Sequence, residues 1–137
     1  MIVRRLAELE GSSREVSGPT WTSRRVLLRN DGMGFSLHDT VIHAGTTTEM
    51  EYRNHLEAVY CIAGHGSVTV VGGETFSIEP GTVYALDQHD RHVLVADETL
   101  RLVCVFCPPL TGAETHDAEG SYPLHEDDPQ NKETGHA

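Results

Sequence analysis

Between residue 21 and about residue 109 the sequence keeps one cadence: a short run rich in Val, Thr, Ile, Tyr and Phe, then a few residues of turn chemistry. The runs are RRVLL, GFSLHDTVIH, EAVYCIAG, SVTVV, ETFSI, TVYALD, HVLVA and LRLVCVF. Asp31-Gly32, Gly64-His65-Gly66, Gly72-Gly73, Pro80-Gly81 and Asp87 to Asp90 break them. Gly supplies the positive φ that tight turns need, and Asp and Pro pre-set the rest. Strands spaced about 8 to 12 residues apart specify an all-β sandwich or small barrel. Helix-period patterning is nearly absent there, so the expected fold is a single-domain jelly-roll β-barrel.

The ends differ from the middle. Residues 1 to about 20 form a polar lead with a short amphipathic turn around Leu6 to Leu9. The chain's 137 residues suffice for one domain with a real core. Its domain is expected over 1–124, and the last stretch, 125–137 (HEDDPQNKETGHA), reads as a disordered acidic tail. No apolar run approaches the ~18 residues of a membrane span, and no signal peptide opens the chain, so a cytoplasmic protein is expected. Three cysteines without a secretion signal read as reduced thiols. A net charge of −11 argues against nucleic acid or an anionic membrane as partner, because phosphate contacts need clustered Lys and Arg.

GTVYALDQHDRH, residues 81 to 92, raises the question of chemistry. If 81–86 and 92–97 form a hairpin centred on Gln88, Tyr84 faces His92. Their Cβ atoms would then lie ~4.5–5.5 Å apart, close enough to share one ion. Glu57 begins another strand whose face it shares with Val59 and Cys61. Carboxylate, phenol and imidazole form a hard-to-borderline donor set that suits iron and also admits zinc. His89, in the turn, is expected to be exposed, and His55 reads equally as a surface or a supporting histidine. Cys104 and Cys107 point to opposite faces of a strand, which excludes a knuckle or redox pair; Cys104 and Phe106 lie side by side. Trp21, Ser23 and Arg25 share one strand face, as do His38 and Thr40, and Tyr52 comes from the next strand. Arg25 is placed to hold a carboxylate through a forked hydrogen bond.

Gly45, Glu51, Arg53, Glu57 and Gly64 keep the spacing of the first cupin motif, G-x5-H-x-H-x3-E-x6-G, with both histidines replaced. Gly73, Glu79, Gly81 and Tyr84 keep that of the second, with Glu79 for the proline and Tyr84 for the histidine. A narrower likeness is stronger. GPTWTSRRVLL, HLEAVYCIAGHG, YALDQHDRH and CVFCPPLTGAETHDAEGSYPL resemble the ectoine synthase family of cupins from Met1 to about Leu124. That resemblance implies closure of Nγ-acetyl-L-2,4-diaminobutyrate to the cyclic amidine ectoine, a compatible solute in osmotic stress, with loss of water. It implies Fe(II) held by Glu57, Tyr84 and His92. It implies a substrate pocket of Trp21, Ser23, Arg25, His38, Thr40, Tyr52, Cys104, Phe106, Glu114 and His116, with Tyr52, Glu114 and His116 in catalysis.

The chemistry is coherent with such a set. An amide carbonyl is a poor electrophile; a Lewis acid on its oxygen and a base for the attacking amine are both useful, and Glu114 or His116 is the expected base. The family pattern usually carries Asn at positions 38 and 107, where this chain has His38 and Cys107, and Glu49, Glu51 and Asn54 replace histidines. Two classes of function follow: a metal-dependent cyclising lyase, for this or a related small substrate, and a non-catalytic cupin that binds a polar metabolite. Unpaired sheet edges are hazardous in a monomer, so a homodimer is expected.

Overall fold

The structure, a computed structural model, describes residues 1–112, 114–117 and 120–124. The tail expected at 125–137 lies outside the described residues. Ten strands form two antiparallel sheets. The larger takes the order β1 (Glu15–Ser17), β2 (Trp21–Leu27), β3 (Ser36–Ile42), β10 (Leu100–Cys107), β5 (Leu56–Ala63), β8 (Val83–Leu86). The smaller takes β4 (Thr46–Met50), β9 (His92–Ala96), β6 (Gly66–Val70), β7 (Thr75–Ile78). This is the expected all-β jelly roll. Among the described residues, helical structure is confined to α1 (Leu6–Leu9), the amphipathic turn of the lead, and a 3-10 turn at Arg29–Asp31.

Alternation decides what faces inward. Along β10, Leu100, Leu102, Cys104 and Phe106 are buried while Cys107 is exposed, so the two outer cysteines of LVCVFC do point apart. Along β5, Glu57, Val59 and Cys61 share the buried face, as their period of two requires. Adjacent arginines on β2 split in the same way. Arg24 turns outward to Asp39, 2.6 Å away, which also takes Arg101 at 2.7 Å; Arg25 turns inward and is fully buried. Each fully buried leucine, Leu100 and Leu102 among them, contributes about 2 kcal/mol by removal from water.

Two strands were not expected. β1 lies in the lead and pairs with β2, and β4 is made of TTTEM, of which only Met50 is buried. One expected pairing is absent. The stretches 81–86 and 92–97 do not form a hairpin: β8 pairs with β5 in one sheet and β9 with β4 and β6 in the other. Residues 87–91 carry the chain between sheets, so Tyr84 lies beside Val59, and His92 beside Met50 and Val70.

The described residues between Pro109 and Leu124 run as irregular backbone across one mouth of the barrel. Its anchor is Gly120, with φ of 73°, set so close to β4 that a Cβ would run into the Glu49 carbonyl oxygen. The Glu51 N–H donates to the Gly120 carbonyl at 3.3 Å, and the Asn54 amide to the Tyr122 carbonyl at 3.0 Å.

Candidate active site

The register of the larger sheet lays inward residues out in rungs. Trp21, Ile42 and Leu100 form one; Ser23, Thr40, Leu102 and Cys61 the next; Arg25, His38, Cys104 and Val59 a third; Ser36, Phe106 and Glu57 the last. Polarity rises along that series. His92, opening β9, brings the smaller sheet to the polar end, where its ring centroid is 6.1 Å from that of Tyr52 and 6.5 Å from that of Tyr84.

A cleft of about 430 Å³, its open mouth included, runs along these rungs from Trp21 and Ile42 to Glu57 and Tyr84. Of the expected site residues it is lined by Trp21, Ser23, Thr40, Tyr52, Glu57, Tyr84, Cys104, Phe106 and His116. His92 is not among the lining residues, but its ring neighbours those of Tyr52 and Tyr84, which are. Crossing between sheets, rather than a hairpin, is therefore what draws Tyr84 and His92 together.

The donor set fits a cation on three observations. His92 is 1% exposed and its Nδ1 lies 2.9 Å from the Asp90 carbonyl. A carbonyl only accepts, so Nδ1 carries the proton and the Nε2 lone pair faces the interior, where it has no hydrogen-bond partner. Burial pushes the Glu57 carboxyl up to about 8, against the lowering effect of the Cys104 thiol; nothing cationic among the described residues offsets its charge. Burial, and then the nearby Glu57, likewise hold the Tyr84 phenol well above its ordinary range. Among the described residues no three His, Cys, Asp or Glu side chains gather around one point, so a three-residue set built on Glu57 and His92 would need a donor of another kind, and the Tyr84 phenol is a neighbour of both.

Beside this set stands a hydrogen-bonded pair. Tyr52 Oη and His116 Nε2 are 2.7 Å apart. Either the phenol donates to Nε2, or Nε2–H donates to the phenol oxygen and the phenol donates onward to Met50 Sδ at 3.3 Å. Burial lowers the His116 imidazole to about 4, so at ordinary pH it is neutral, with one ring nitrogen free to accept a hydrogen bond. Tyr52 is not on a strand, as expected, but on the irregular segment after β4.

Three expected pocket residues stand elsewhere. Arg25 does not face the cleft: its two terminal nitrogens donate to the carbonyls of Gly112 at 2.8 Å and Glu114 at 2.6 Å, and its guanidinium lies 5.8 Å from the Tyr122 ring centroid. It clamps the segment after Pro109 instead of offering a fork to a ligand. Glu114 does not face the cleft either, nor is it a free base. It is 2% exposed and accepts the N–H groups of Thr111 at 2.7 Å and Gly112 at 2.8 Å. Burial alone would raise its pKa, but those amides outweigh it and hold the carboxylate below its usual range. His38 sits behind the lining, with Nδ1 3.3 Å from Ser23 Oγ and Nε2 2.9 Å from Ser36 Oγ. His55 is no surface histidine; it is 1% exposed, edge-on to Phe106. His89 is exposed, as expected.

Sequence reasoning passed over Tyr122. Its ring lines the cleft, stacks on Tyr52 at 5.1 Å and 22°, and meets His116 at 4.7 Å. In GSYP a tyrosine reads as part of a turn, and only the Gly120 anchor, visible in three dimensions, brings it inside.

The profile of the ectoine synthase family matches residues 1–126. The chain belongs to the ectoine synthase family. L-ectoine synthase of Desulfatibacillum aliphaticivorans is 58% identical over 130 residues, 93% of this chain and 100% of that one. L-ectoine synthase of Halalkalibacterium halodurans is 55% identical over 129 residues, with the same coverage of 93% and 100%. The crystal structure of ectoine synthase from P. lautus superposes with a TM-score of 0.84 at 58% identity, covering 90% of each chain. As a member of the ectoine synthase family the chain is an enzyme, a hydro-lyase of ectoine biosynthesis on the cupin fold. Among its described residues no helix is long and apolar enough to cross a membrane.

Proposed function

We propose that this enzyme closes Nγ-acetyl-L-2,4-diaminobutyrate to L-ectoine, with Fe(II) held by Glu57, Tyr84 and His92. The observation that carries the reading is the buried, unpartnered Nε2 of His92, its ring 6.5 Å from that of Tyr84, with Glu57 and Tyr84 lining one cleft beside the Tyr52–His116 pair. When bound, the ferrous ion supplies Lewis-acid polarisation of the acetamide carbonyl. Zinc satisfies the same donors less specifically.

The protein's own groups do the remainder. Neutral His116 accepts the proton that the attacking α-amine gives up as the new C–N bond forms. Tyr52, in direct hydrogen-bond contact, passes a proton to the departing hydroxyl, which leaves as water while the C=N bond of the amidine forms. Ser23 and Thr40, on one rung of the lining, bind the substrate carboxylate through their hydroxyls, with the charge of Arg25 behind Ser23 at 3.5 Å. Trp21, Tyr52, Phe106 and Tyr122 wall the cleft against bulk water, which favours condensation over hydrolysis. Holding the chain curled at near-attack distance contributes several kcal/mol, about the scale of other intramolecular closures. His38, bonded to two serines behind the lining, lacks a direct route to the substrate, which supports the ordinary substrate over a variant one.

The wider setting follows from the same reading: a cytoplasmic homodimer making a compatible solute under osmotic stress. Outer-face Leu56, Tyr60, Ile62 and Val83 are exposed on β5 and β8, which supports association through that side of the larger sheet. Iron-loaded protein incubated with the acetylated diaminobutyrate should release ectoine on chromatography; unchanged substrate would refute the assignment. Tyr84→Phe should purify with far less iron than wild type, and equal metal content in both would remove Tyr84 from the ligand set.

A further inference from the structure

His89 is the one non-glycine among the described residues with positive φ, 54°. An L residue in that region carries a steric cost, which persists only where surroundings impose it. What the conformation achieves is visible. It brings the imidazole of an otherwise exposed residue onto the segment after β4, where Nδ1 lies 2.7 Å from the main-chain oxygen of Tyr52. That oxygen only accepts, so Nδ1 carries the proton and donates.

Tyr52 needs such a hold. It lies on residues 51–55, which belong to no strand; on one side the Glu51 and Arg53 N–H groups and the Asn54 amide bond Gly120, Ser121 and Tyr122. His89 holds the segment from the other side. The turn it sits in is itself pinned, by the Arg91 guanidinium on Glu49 at 3.0 Å and by the Arg91 carbonyl taking the Val71 N–H at 2.9 Å. The next residue, Asp90, orients the His92 ring through its carbonyl. Two consecutive residues of one turn thus fix two elements of the site, the imidazole of His92 and the main chain beneath the Tyr52 phenol.

We propose that His89 is a positioning residue, which through its Nδ1–H bond to the Tyr52 carbonyl keeps the Tyr52 phenol in line with His116. The inference rests on the reading of Tyr52 and His116 as the proton-transfer pair. Three substitutions in the full-length, iron-loaded chain separate its components. His89→Gly accepts the backbone conformation without a donor. His89→Asn tolerates positive φ and offers an amide N–H near the position of Nδ1. His89→Ala has neither.

Gly and Ala should each lose about tenfold in kcat with KM changed less than about twofold, since a small misplacement of a reacting group acts on the chemical step. Asn should recover most of the loss. Iron content and melting temperature of the Gly variant should match wild type. Its crystal structure should show the Tyr52 Oη to His116 Nε2 separation lengthened beyond hydrogen-bond reach. Wild-type kcat in the Gly variant overturns the proposal. So does a Gly variant that loses iron in step with activity, because the turn would then serve only His92, and so does an unchanged Tyr52–His116 separation. Tyr52→Phe is the companion control. Full activity there refutes the proton-transfer pair, while the separation measured in His89→Gly still decides whether His89 places Tyr52.

Discussion

At one end of the barrel interior Trp21, Ile42 and Leu100 stand in register; a few residues along the same strands, Arg25, His38, Glu57 and Phe106 occupy the equivalent inward positions. Both ends are buried by the same alternation. The apolar end needs chiefly volume and shape: Leu100 packs away from the cleft, while Trp21 and Ile42 form part of its wall. At the polar end every charge needs a partner, and most have one: Arg25 has two carbonyls, Glu114 two amides, His38 two hydroxyls. The Nε2 of His92 and the Nδ1 of His55 are the exceptions, and Glu57 has a weak thiol partner, Cys104, in place of a cation. Unmet polar groups in a low-dielectric site cost stability, so their presence at the cleft marks where function outweighs packing.

Glu57→Gln tests that contrast most severely. Burial keeps the Glu57 carboxyl protonated up to about pH 8 in the absence of a cation, so a neutral amide of equal size should leave the metal-free protein's melting temperature at pH 7 nearly unchanged or raise it. Activity should fall on the order of a thousandfold as iron is lost, matching the several kcal/mol a Lewis acid supplies. Leu100→Ala should do the reverse. Leu100 is fully buried, and its truncation should cost about 3 kcal/mol of stability in denaturant melts, with kcat within about twofold where the protein stays folded. If both variants lost activity and stability in the same proportion, the division between the two ends would not exist.

The same contrast explains what could be read from the chain beforehand. Period-two runs gave the apolar end almost completely; HVLVA is β9 residue for residue. β4 escaped because TTTEM buries one side chain and so carries no hydrophobic alternation, and β1 because it is three residues long. Glu57, Tyr84 and His92 were legible from type and family spacing. Their geometry was not, since nothing local distinguishes a turn that reverses a strand from one that carries it to the facing sheet. Arg25 and Glu114 were misplaced for a related reason. Their partners are main-chain atoms, in the case of Arg25 87 and 89 residues away, and main-chain atoms leave no signature in side-chain chemistry. Tyr52 and Tyr122 reach the cleft on irregular backbone, where no periodicity exists to assign a face.

The smallest effect probes how the polar end is satisfied without charge. Burial, and then the positive Arg25 and His55 nearby, lower His38 to about 3, while a histidine in the unfolded chain titrates near 6.5. The folded form therefore binds fewer protons than the unfolded form between those values. Above about pH 6.5 the term vanishes; as pH falls below it, stability is lost progressively until the folded group itself takes up a proton near pH 3. At pH 5 linkage gives about 1–2 kcal/mol for this one residue. His38→Asn can still bond to Ser23 or Ser36 but does not titrate, so its stability should fall less between pH 7 and pH 5 than that of the parent, by about that amount. His55 and His116, both lowered to about 4 chiefly by burial, add the same trend to both proteins and cancel in the comparison, as does any loss of metal on acidification. Parallel urea titrations of the two proteins at both pH values measure the difference directly. Equal slopes would mean that His38 titrates in the fold as it does in the unfolded chain, with the buried Glu114 carboxylate, 4.0 Å from Arg25, as the anion that balances the Arg25–His38 rung.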